Sequence, residues 1–116
     1  LAVYDYPASQ CALARIRHDA VPVAERFELY LGPLELANGY HELADGAEQA
    51  QRFQRDLAAR SARGVPSPAI DAHLLAALSH GFPDCSGVAL GVDRLLMALQ
   101  DTPRIADVLA FDFARA

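Results

Sequence analysis

The sequence predicts an α+β fold in which helices flank an antiparallel β-sheet. Three observations predict it. Residues 24–42 alternate apolar and polar side chains with the period of a strand, interrupted by a Gly-Pro pair, as expected for a β-hairpin. Residues 45–63 and 71–80 carry helix caps and helical spacing. Residues 87–99 are typical of a strand that leads directly into a helix.

Length and composition are those of one globular domain. The chain has 116 residues, of which 53% are hydrophobic and 22% charged, enough to bury a modest core. Its formal net charge of -5 argues against sequence-independent binding to nucleic acid, which needs clustered Lys and Arg. No apolar run approaches the roughly 18 residues of a membrane span, and the N-terminus does not resemble a signal peptide. We therefore expect a cytoplasmic protein that does not insert into membranes.

The cysteines and histidines show no spacing typical of a metal site. Cys11 and Cys85 lack CxxC spacing and are most simply free thiols, and the four histidines are scattered along the chain. The chain begins with Leu1, and its one methionine is Met97. We expect either a processed start or the C-terminal piece of a longer protein.

The N-terminal segment predicts one short strand followed by loops. Residues 1–6 form a β-like run that Pro7 ends. Residues 11–16 fit a short helix or another strand, and residues 19–22 form a turn.

The hairpin predicts that two glutamates lie close together. Its alternation places Phe27 on one face and Glu28 on the other. A turn at residues 31–32 would put Glu28 opposite Glu35, whereas a turn at residues 32–33 would make them diagonal neighbours. Two carboxylates this close favour a Mg²⁺ site shared with phosphates, because like charges repel unless a cation lies between them. Two solvated glutamates on an exposed face are the alternative.

The second strand of the hairpin adds further polar residues. Asn38 and Glu42 share one face of an unbroken strand, and Glu35 has the opposite parity. All three line one pocket only if the strand changes register, and we predict a bulge at Gly39. An Asn beside a Glu suits recognition of an ammonium group. Alternatively, Glu42 and Asp45 simply begin the next helix.

The two central helices are predicted by their caps. Asp45 is a good N-cap, Glu48 completes a capping-box pattern, and Gly64 ends the first helix. Its apolar face contains Phe53 and Leu57. The helix also carries four arginines, which we expect to form a solvated face rather than a stripe that binds a partner: Arg52, Arg55, Arg60 and Arg63.

The second helix is shorter. It runs from an N-cap at Asp71 to His80, and Gly81 stops it. Its inward residues are predicted to be Leu74, Leu75 and Leu78, whereas His73 and His80 are predicted to lie at the surface.

The glycine-bearing strand at residues 87–91 leads into a helix with Arg94 in its first turn. Glycines allow a flat ligand to approach the backbone, and an arginine beside a helix N-terminus suits phosphate. Taken alone, this pattern is more typical of simple packing. After the helix, residues 102–103 begin a short helical turn, and residues 108–113 are predicted to form a final strand.

Three stretches of the chain resemble one known family. FELYLGPLELANGYHELAD, SGVALGVDRLLMAL and IADVLAF resemble the C-terminal part of the catalytic domain of class II aminoacyl-tRNA synthetases of the lysyl subgroup. Residues 87–99 match the third signature motif of that class. The resemblance covers essentially the whole chain.

Within this group the chain more closely resembles the paralogues that transfer β-lysine to a lysine of elongation factor P. Residues 4–10 contain their PASQ segment, and His41 stands where lysyl-tRNA synthetases usually have Ser. Ala89 replaces the middle glycine of the third motif. Its methyl group would reshape the floor of the amino-acid pocket, which fits a different amino acid.

The resemblance implies roles for the residues that match the family's motifs. Glu28 and Glu35 would hold Mg²⁺ with ATP, and Glu35 and Leu36 would lie beside the nucleotide. Gly91 would approach the adenylate, and Arg94 would bind the ATP phosphates and act in catalysis.

The resemblance also implies an amino-acid pocket. In it Glu42 would pair with the side-chain ammonium of lysine or β-lysine, assisted by Asn38, with Ala89 at the pocket floor. The implied reaction is formation of an aminoacyl-adenylate.

The family's first and second signature motifs have no counterpart in this chain and are expected upstream of Leu1. We therefore expect residues 1–116 to be the last third of a ligase that is homodimeric at full length, and to be inactive alone. Two alternatives stay open: a lysyl-tRNA synthetase that charges tRNA-Lys, and a synthetase-like binding module without catalysis.

Overall fold

A computed structural model describes residues 1–115 and divides the chain into two compact units. The first comprises residues 1–41 and 86–115, and the second comprises residues 42–85. The first unit is built on an antiparallel sheet and the second on two helices, which confirms the predicted α+β class.

The first unit contains a five-stranded sheet in which all neighbouring strands are antiparallel. The strands are β1 (Ala2–Pro7), β2 (Ile16–Arg17), β3 (Val23–Leu31), β4 (Leu34–His41) and β5 (Ser86–Leu90). The strand order is β1-β3-β4-β5, and β2 also pairs with β3. The first strand is as predicted, and of the ambiguous residues 11–16 only Ile16 enters a regular strand.

The β3–β4 hairpin turns at Gly32 and Pro33, because Leu31 pairs with Leu34. Gly32 has a φ of 56°, a conformation that glycine adopts at little cost. The second of the two predicted registers is therefore confirmed.

The predicted bulge in β4 exists, but its position at Gly39 is wrong. Leu29 pairs with Ala37 and Tyr30 pairs with Glu35, so Leu36 is the extra residue. A bulge at this point shifts the register by one residue, and every side chain beyond it moves to the other face.

Gly39 instead makes room for an aromatic ring. A Cβ atom at Gly39 would lie 2.7 Å from two ring atoms of Phe27 and 2.8 Å from the carbonyl oxygen of Gly87. The glycine therefore permits close packing of Phe27 against β4, which explains its place in a regular part of the strand.

The first unit ends with α3 (Val92–Leu99), which buries Met97, and with a 3₁₀ turn at Ile105–Asp107. The strand predicted at residues 108–113 is wrong, since this segment forms bends and turns. Its apolar side chains do not pack as those of a buried strand would, because Phe111 and Phe113 are exposed.

The second unit pairs α1 (Gly46–Ala62) with α2 (Ala72–His80). The carboxylate of Asp45 accepts hydrogen bonds from the backbone N–H groups of Ala47 and Glu48, which confirms the first N-cap. Arg52 was predicted to be solvated, and this is wrong: its side chain is buried, and its Nε donates to Glu48 Oε1 at 3.1 Å. An ion pair with the residue one helical turn earlier lets the arginine stem lie against the unit's interior.

The second helix follows its prediction. Asp71 caps it by accepting from the N–H groups of His73 and Leu74, Leu78 is buried, and Gly81 ends it with a φ of 111°. His73 and His80 are exposed, as predicted. None of the helices within residues 1–115 is long and apolar enough to cross a membrane.

Candidate functional site

One face of the sheet carries a row of three predicted site residues across three strands. Glu28 in β3 pairs with Asn38 in β4, and Asn38 pairs with Ala89 in β5. Directly paired residues point to the same side of a sheet, so the three side chains lie side by side. Glu35 joins them on this face, because it pairs with Tyr30 and Tyr30 has the same parity as Glu28.

The bulge at Leu36 makes this gathering of residues possible. Without the extra residue, Glu35 and Asn38 would point to opposite faces of β4. The bulge residue Leu36 also contacts the segment before α3. Its carbonyl oxygen accepts a hydrogen bond from the N–H of Gly91 at 2.9 Å. The start of α3 is thereby fixed to β4 at the predicted nucleotide-binding residues.

Arg94 makes a second link between α3 and β4. Its Nη1 donates to the backbone carbonyl oxygen of Glu35 at 3.0 Å and lies 3.4 Å from Glu35 Oε2. The side chain is 49% exposed, so the guanidinium is accessible to a ligand. Gly91 has no side chain and so leaves space beside Arg94. A Cβ atom at Gly91 would lie 3.4 Å from Cδ of Arg94.

Glu28 is buried, with only 8% of its surface exposed, which excludes a solvated position for this glutamate. Its two carboxylate oxygens accept hydrogen bonds from Arg26 Nη2 and from the Tyr30 hydroxyl. The pKa of Glu28 is lowered, most strongly by the hydrogen bond from Tyr30. A hydrogen bond from Tyr6 and the positive charge of Arg26 lower it further. Together these effects outweigh burial, which raises the pKa. Glu28 is therefore a carboxylate at neutral pH.

Arg26 lies in the candidate site, although no motif in the sequence predicted it. Besides Glu28, its guanidinium contacts Asn38 Oδ1 through Nε at 3.4 Å and the carbonyl oxygen of Gln10 through Nη1 at 3.3 Å. The face of the guanidinium lies 4.4 Å from the ring centre of Tyr6, a cation–π distance. One side chain thus connects the PASQ segment to two predicted site residues.

A sequence signal for this cluster was present. Arg26, Glu28 and Tyr30 are spaced two residues apart in a strand, so they point to the same side. An arginine, a carboxylate and a phenol on one strand face predict a hydrogen-bonded group.

The orientation of Asn38 follows from its contact with Arg26. Arginine only donates hydrogen bonds, so the atom facing it is the amide oxygen. The amide NH₂ of Asn38 is then the donor available to a ligand acceptor.

Glu42 belongs to the second unit. It follows β4 by one residue, is partly buried, and its backbone N–H donates to the carbonyl oxygen of Cys85 at 3.0 Å. Its predicted role in binding an ammonium group stays a prediction.

Glu28 and Glu35 are the predicted magnesium ligands, and this role stays a prediction. They are diagonal neighbours on one face, and each oxygen has more than one lone pair for a ligand. Residues 1–115 contain no group of three or more His, Cys, Asp or Glu side chains that could hold a metal. Mg²⁺ commonly uses one or two carboxylates and completes its shell with phosphates and water, so a pair suffices.

Comparison with known proteins shows the family of this chain. The family model for class II tRNA synthetases (D, K and N) matches residues 1–115. The chain belongs to this family. The resemblance predicted from the three sequence stretches is therefore confirmed.

Curated relatives of this class II synthetase chain share a name. Proteins from Edwardsiella ictaluri and Salmonella arizonae are 57% identical to it over 114 residues, and one from Yersinia enterocolitica is 54% identical over 114 residues. Each is named elongation factor P–(R)-β-lysine ligase. The matches cover 98% of this chain and 35% of each relative, so the chain spans about a third of their length.

Proposed function

We propose that this chain is part of an ATP-dependent ligase that activates lysine or β-lysine and transfers it to a lysine of elongation factor P. The observation that carries the proposal is the single sheet face with Glu28, Glu35, Asn38 and Ala89, next to the exposed guanidinium of Arg94. The substrate and acceptor are inferred from the name shared by relatives that are more than half identical to this chain.

In this proposal ATP binds where α3 meets β4. Glu35, Leu36 and Gly91 lie beside the nucleotide, and Arg94 binds its phosphates. The contact between Gly91 and Leu36 and the exposure of Arg94 support this assignment. Glu28 and Glu35 hold Mg²⁺, which when bound neutralises phosphate charge and orients the phosphates.

The amino acid binds beside Asn38 and Ala89, which are paired across β4 and β5. The role of Glu42 in pairing with its side-chain ammonium, assisted by Asn38, rests on the family resemblance alone. Ala89 forms the floor of the amino-acid pocket. Its methyl group is exposed on β5 opposite Asn38, in a position to affect which lysine isomer fits.

The reaction has two steps. A carboxylate oxygen of the amino acid attacks the α-phosphorus of ATP, and pyrophosphate leaves. The amine of the acceptor lysine then attacks the acyl carbon, so an amide bond forms, AMP leaves and the amine loses a proton. The contribution of this chain is to position the reactants and to neutralise phosphate charge through Arg94. We expect the full-length enzyme to be a cytoplasmic homodimer.

The test is an acceptor assay with the full-length protein. It is incubated with ATP, Mg²⁺, lysine or (R)-β-lysine and either purified elongation factor P or tRNA-Lys. We expect mass spectrometry to detect lysyl or β-lysyl addition to one lysine of elongation factor P, with no charging of the tRNA. Charging of tRNA-Lys without modification of elongation factor P would identify a lysyl-tRNA synthetase. The absence of both products would favour a non-catalytic module.

A further inference from the structure

Three nitrogens of the Arg26 guanidinium each donate to a different partner. Nη2 donates to the Glu28 carboxylate, Nη1 to the carbonyl oxygen of Gln10 at 3.3 Å, and Nε to Asn38 Oδ1 at 3.4 Å. We propose that Arg26 is a positioning residue, which fixes the side-chain amide of Asn38 with its NH₂ group toward the amino-acid substrate. The inference rests on the amino-acid site of the proposed function.

The guanidinium of Arg26 is held in one orientation by its surroundings. The Arg26 and Glu28 side chains are only 14% and 10% exposed, and water and salt screen a buried ion pair much less than an exposed one. Cζ of Arg26 lies over the ring of Tyr6, 4.4 Å from its centre, in a cation–π contact. Because Glu28 and Gln10 bind the two terminal nitrogens and Tyr6 covers one flat side, Nε stays directed at Asn38.

This fixed donor sets the orientation of the Asn38 amide. A guanidinium has no acceptor atom, so the amide oxygen faces Nε. Reversal of the amide would bring the NH₂ group against the N–H of Nε, and a buried charged donor would lose its partner. On β5, the paired residue Ala89 has a methyl group that neither donates nor accepts, so the NH₂ of Asn38 stays available to a ligand.

The fixed amide decides which group of a substrate Asn38 can bind. An NH₂ group donates and needs an acceptor oxygen, whereas an ammonium has only donors. The positive charge of Arg26 beside Oδ1 also repels an ammonium from that oxygen. Asn38 therefore contacts an acceptor oxygen of the amino acid, which refines the role beside the ammonium that the resemblance implies.

Arg26 contributes to affinity by ordering Asn38 in advance. A side chain that becomes fixed only when its ligand binds weakens binding by the cost of its ordering, and a side chain that is already fixed avoids this cost. Without the Nε donor the amide can rotate, so binding of the amino acid should weaken. Nucleotide binding should not change, because the proposed function assigns the nucleotide to other residues, at Gly91 and Arg94.

The test measures the dissociation constants of the full-length protein for lysine, (R)-β-lysine and ATP by isothermal titration calorimetry. Arg26→Lys keeps a positive charge opposite Glu28, but its single nitrogen cannot reach three partners. We expect this variant to bind the amino acid about fivefold more weakly than the wild type, in line with the cost of ordering one side chain, and to bind ATP equally well. In an Asn38→Ala background the same substitution should cause no further loss. Arg17→Lys, in an exposed pair with Asp5 on the same sheet, is the matched control.

A folded Arg26→Lys protein with the amino-acid affinity of the wild type would overturn the inference. A loss that persists in the Asn38→Ala background would also overturn it, since the effect would not pass through Asn38. A parallel loss of ATP affinity would contradict it as well, by indicating a general structural role.

Tyr6→Leu replaces Arg26→Lys if the latter does not fold. It removes the ring that covers the guanidinium, so amino-acid binding should weaken in the wild-type background and stay unchanged in the Asn38→Ala background. Equal affinity with and without the Tyr6 ring would contradict the inference. A wild-type protein that binds neither lysine nor (R)-β-lysine would instead refute the amino-acid site of the proposed function, so the two failures are distinguishable.

Discussion

Arg94 reaches from the first turn of α3 to Glu35 in β4, where its Nη1 lies 3.0 Å from the backbone carbonyl oxygen. The bond holds the guanidinium at the end of the sheet face on which Glu28 and Asn38 lie. Because the side chain remains half exposed, its other donors are available to phosphate. This relationship connects the sheet face to the proposed nucleotide site.

Replacing Arg94 should impair activation by ATP. In the full-length protein we expect Arg94→Met to lower kcat/KM for ATP about a hundredfold in ATP–pyrophosphate exchange, since a donor to developing phosphate charge is lost. Arg94→Lys should recover only part of the activity, because an ammonium lacks the planar fork. Arg104→Met, which removes an exposed arginine paired with Asp107, is the matched control. Unchanged ATP kinetics in Arg94→Met would rule out the phosphate role.

Replacing Ala89 should change the preference between lysine isomers. Ala89→Gly removes the methyl group opposite Asn38, and we expect the ratio of kcat/KM for β-lysine to that for α-lysine to fall about tenfold, within the range expected for one methyl group in a pocket. The measurement is steady-state pyrophosphate exchange with each amino acid. Ala110→Gly, at an exposed position, is the control. An unaltered ratio in Ala89→Gly would refute the specificity role.

Gly39 should tolerate no side chain. Gly39→Ala places a Cβ 2.7 Å from the Phe27 ring and 2.8 Å from the Gly87 carbonyl oxygen, so we expect the free energy of unfolding to fall by about 1–3 kcal/mol. Denaturant titration measures the change. In a Phe27→Leu background the same substitution should cost less, because the smaller side chain relieves part of the clash. An equal loss in both backgrounds would show that Phe27 is not the cause.

Glu28 should make stability depend on pH in the acid range. Its pKa is lowered in the folded protein, chiefly by the Tyr30 hydrogen bond, so its stabilising effect is present above its ordinary value of 4.5 and is lost as pH falls through the folded-state pKa. Tyr30→Phe should destabilise the protein by about 1 kcal/mol at neutral pH, and the difference from the wild type should shrink in acid. Unfolding titrations across the acid range measure this. Tyr4→Phe, at an exposed tyrosine, should leave the pH profile unchanged.

Local rules predicted much of the fold. The N-caps at Asp45 and Asp71 and the turn at Gly32 depend on nearby backbone geometry, and the sequence identifies such positions directly. The strand predicted at residues 108–113 failed because an apolar run does not reveal whether a partner strand is available.

The site was predicted less completely, since it depends on long-range pairing. The bulge was assigned to Gly39 because glycine is permissive, whereas the register places it at Leu36, next to Gly91. Arg26 was missed although its spacing to Glu28 puts both on one strand face. Its contacts with Gln10 and Asn38 come from neighbouring segments and become visible only when the sheet is formed.

Pyrophosphate exchange by the full-length protein tests most directly whether this sheet face activates an amino acid. Labelled pyrophosphate should enter ATP only when Mg²⁺ and lysine or (R)-β-lysine are present, and Glu35→Gln should lower the rate about a hundredfold through loss of a metal ligand. A folded full-length protein that shows no exchange with either amino acid would contradict the account.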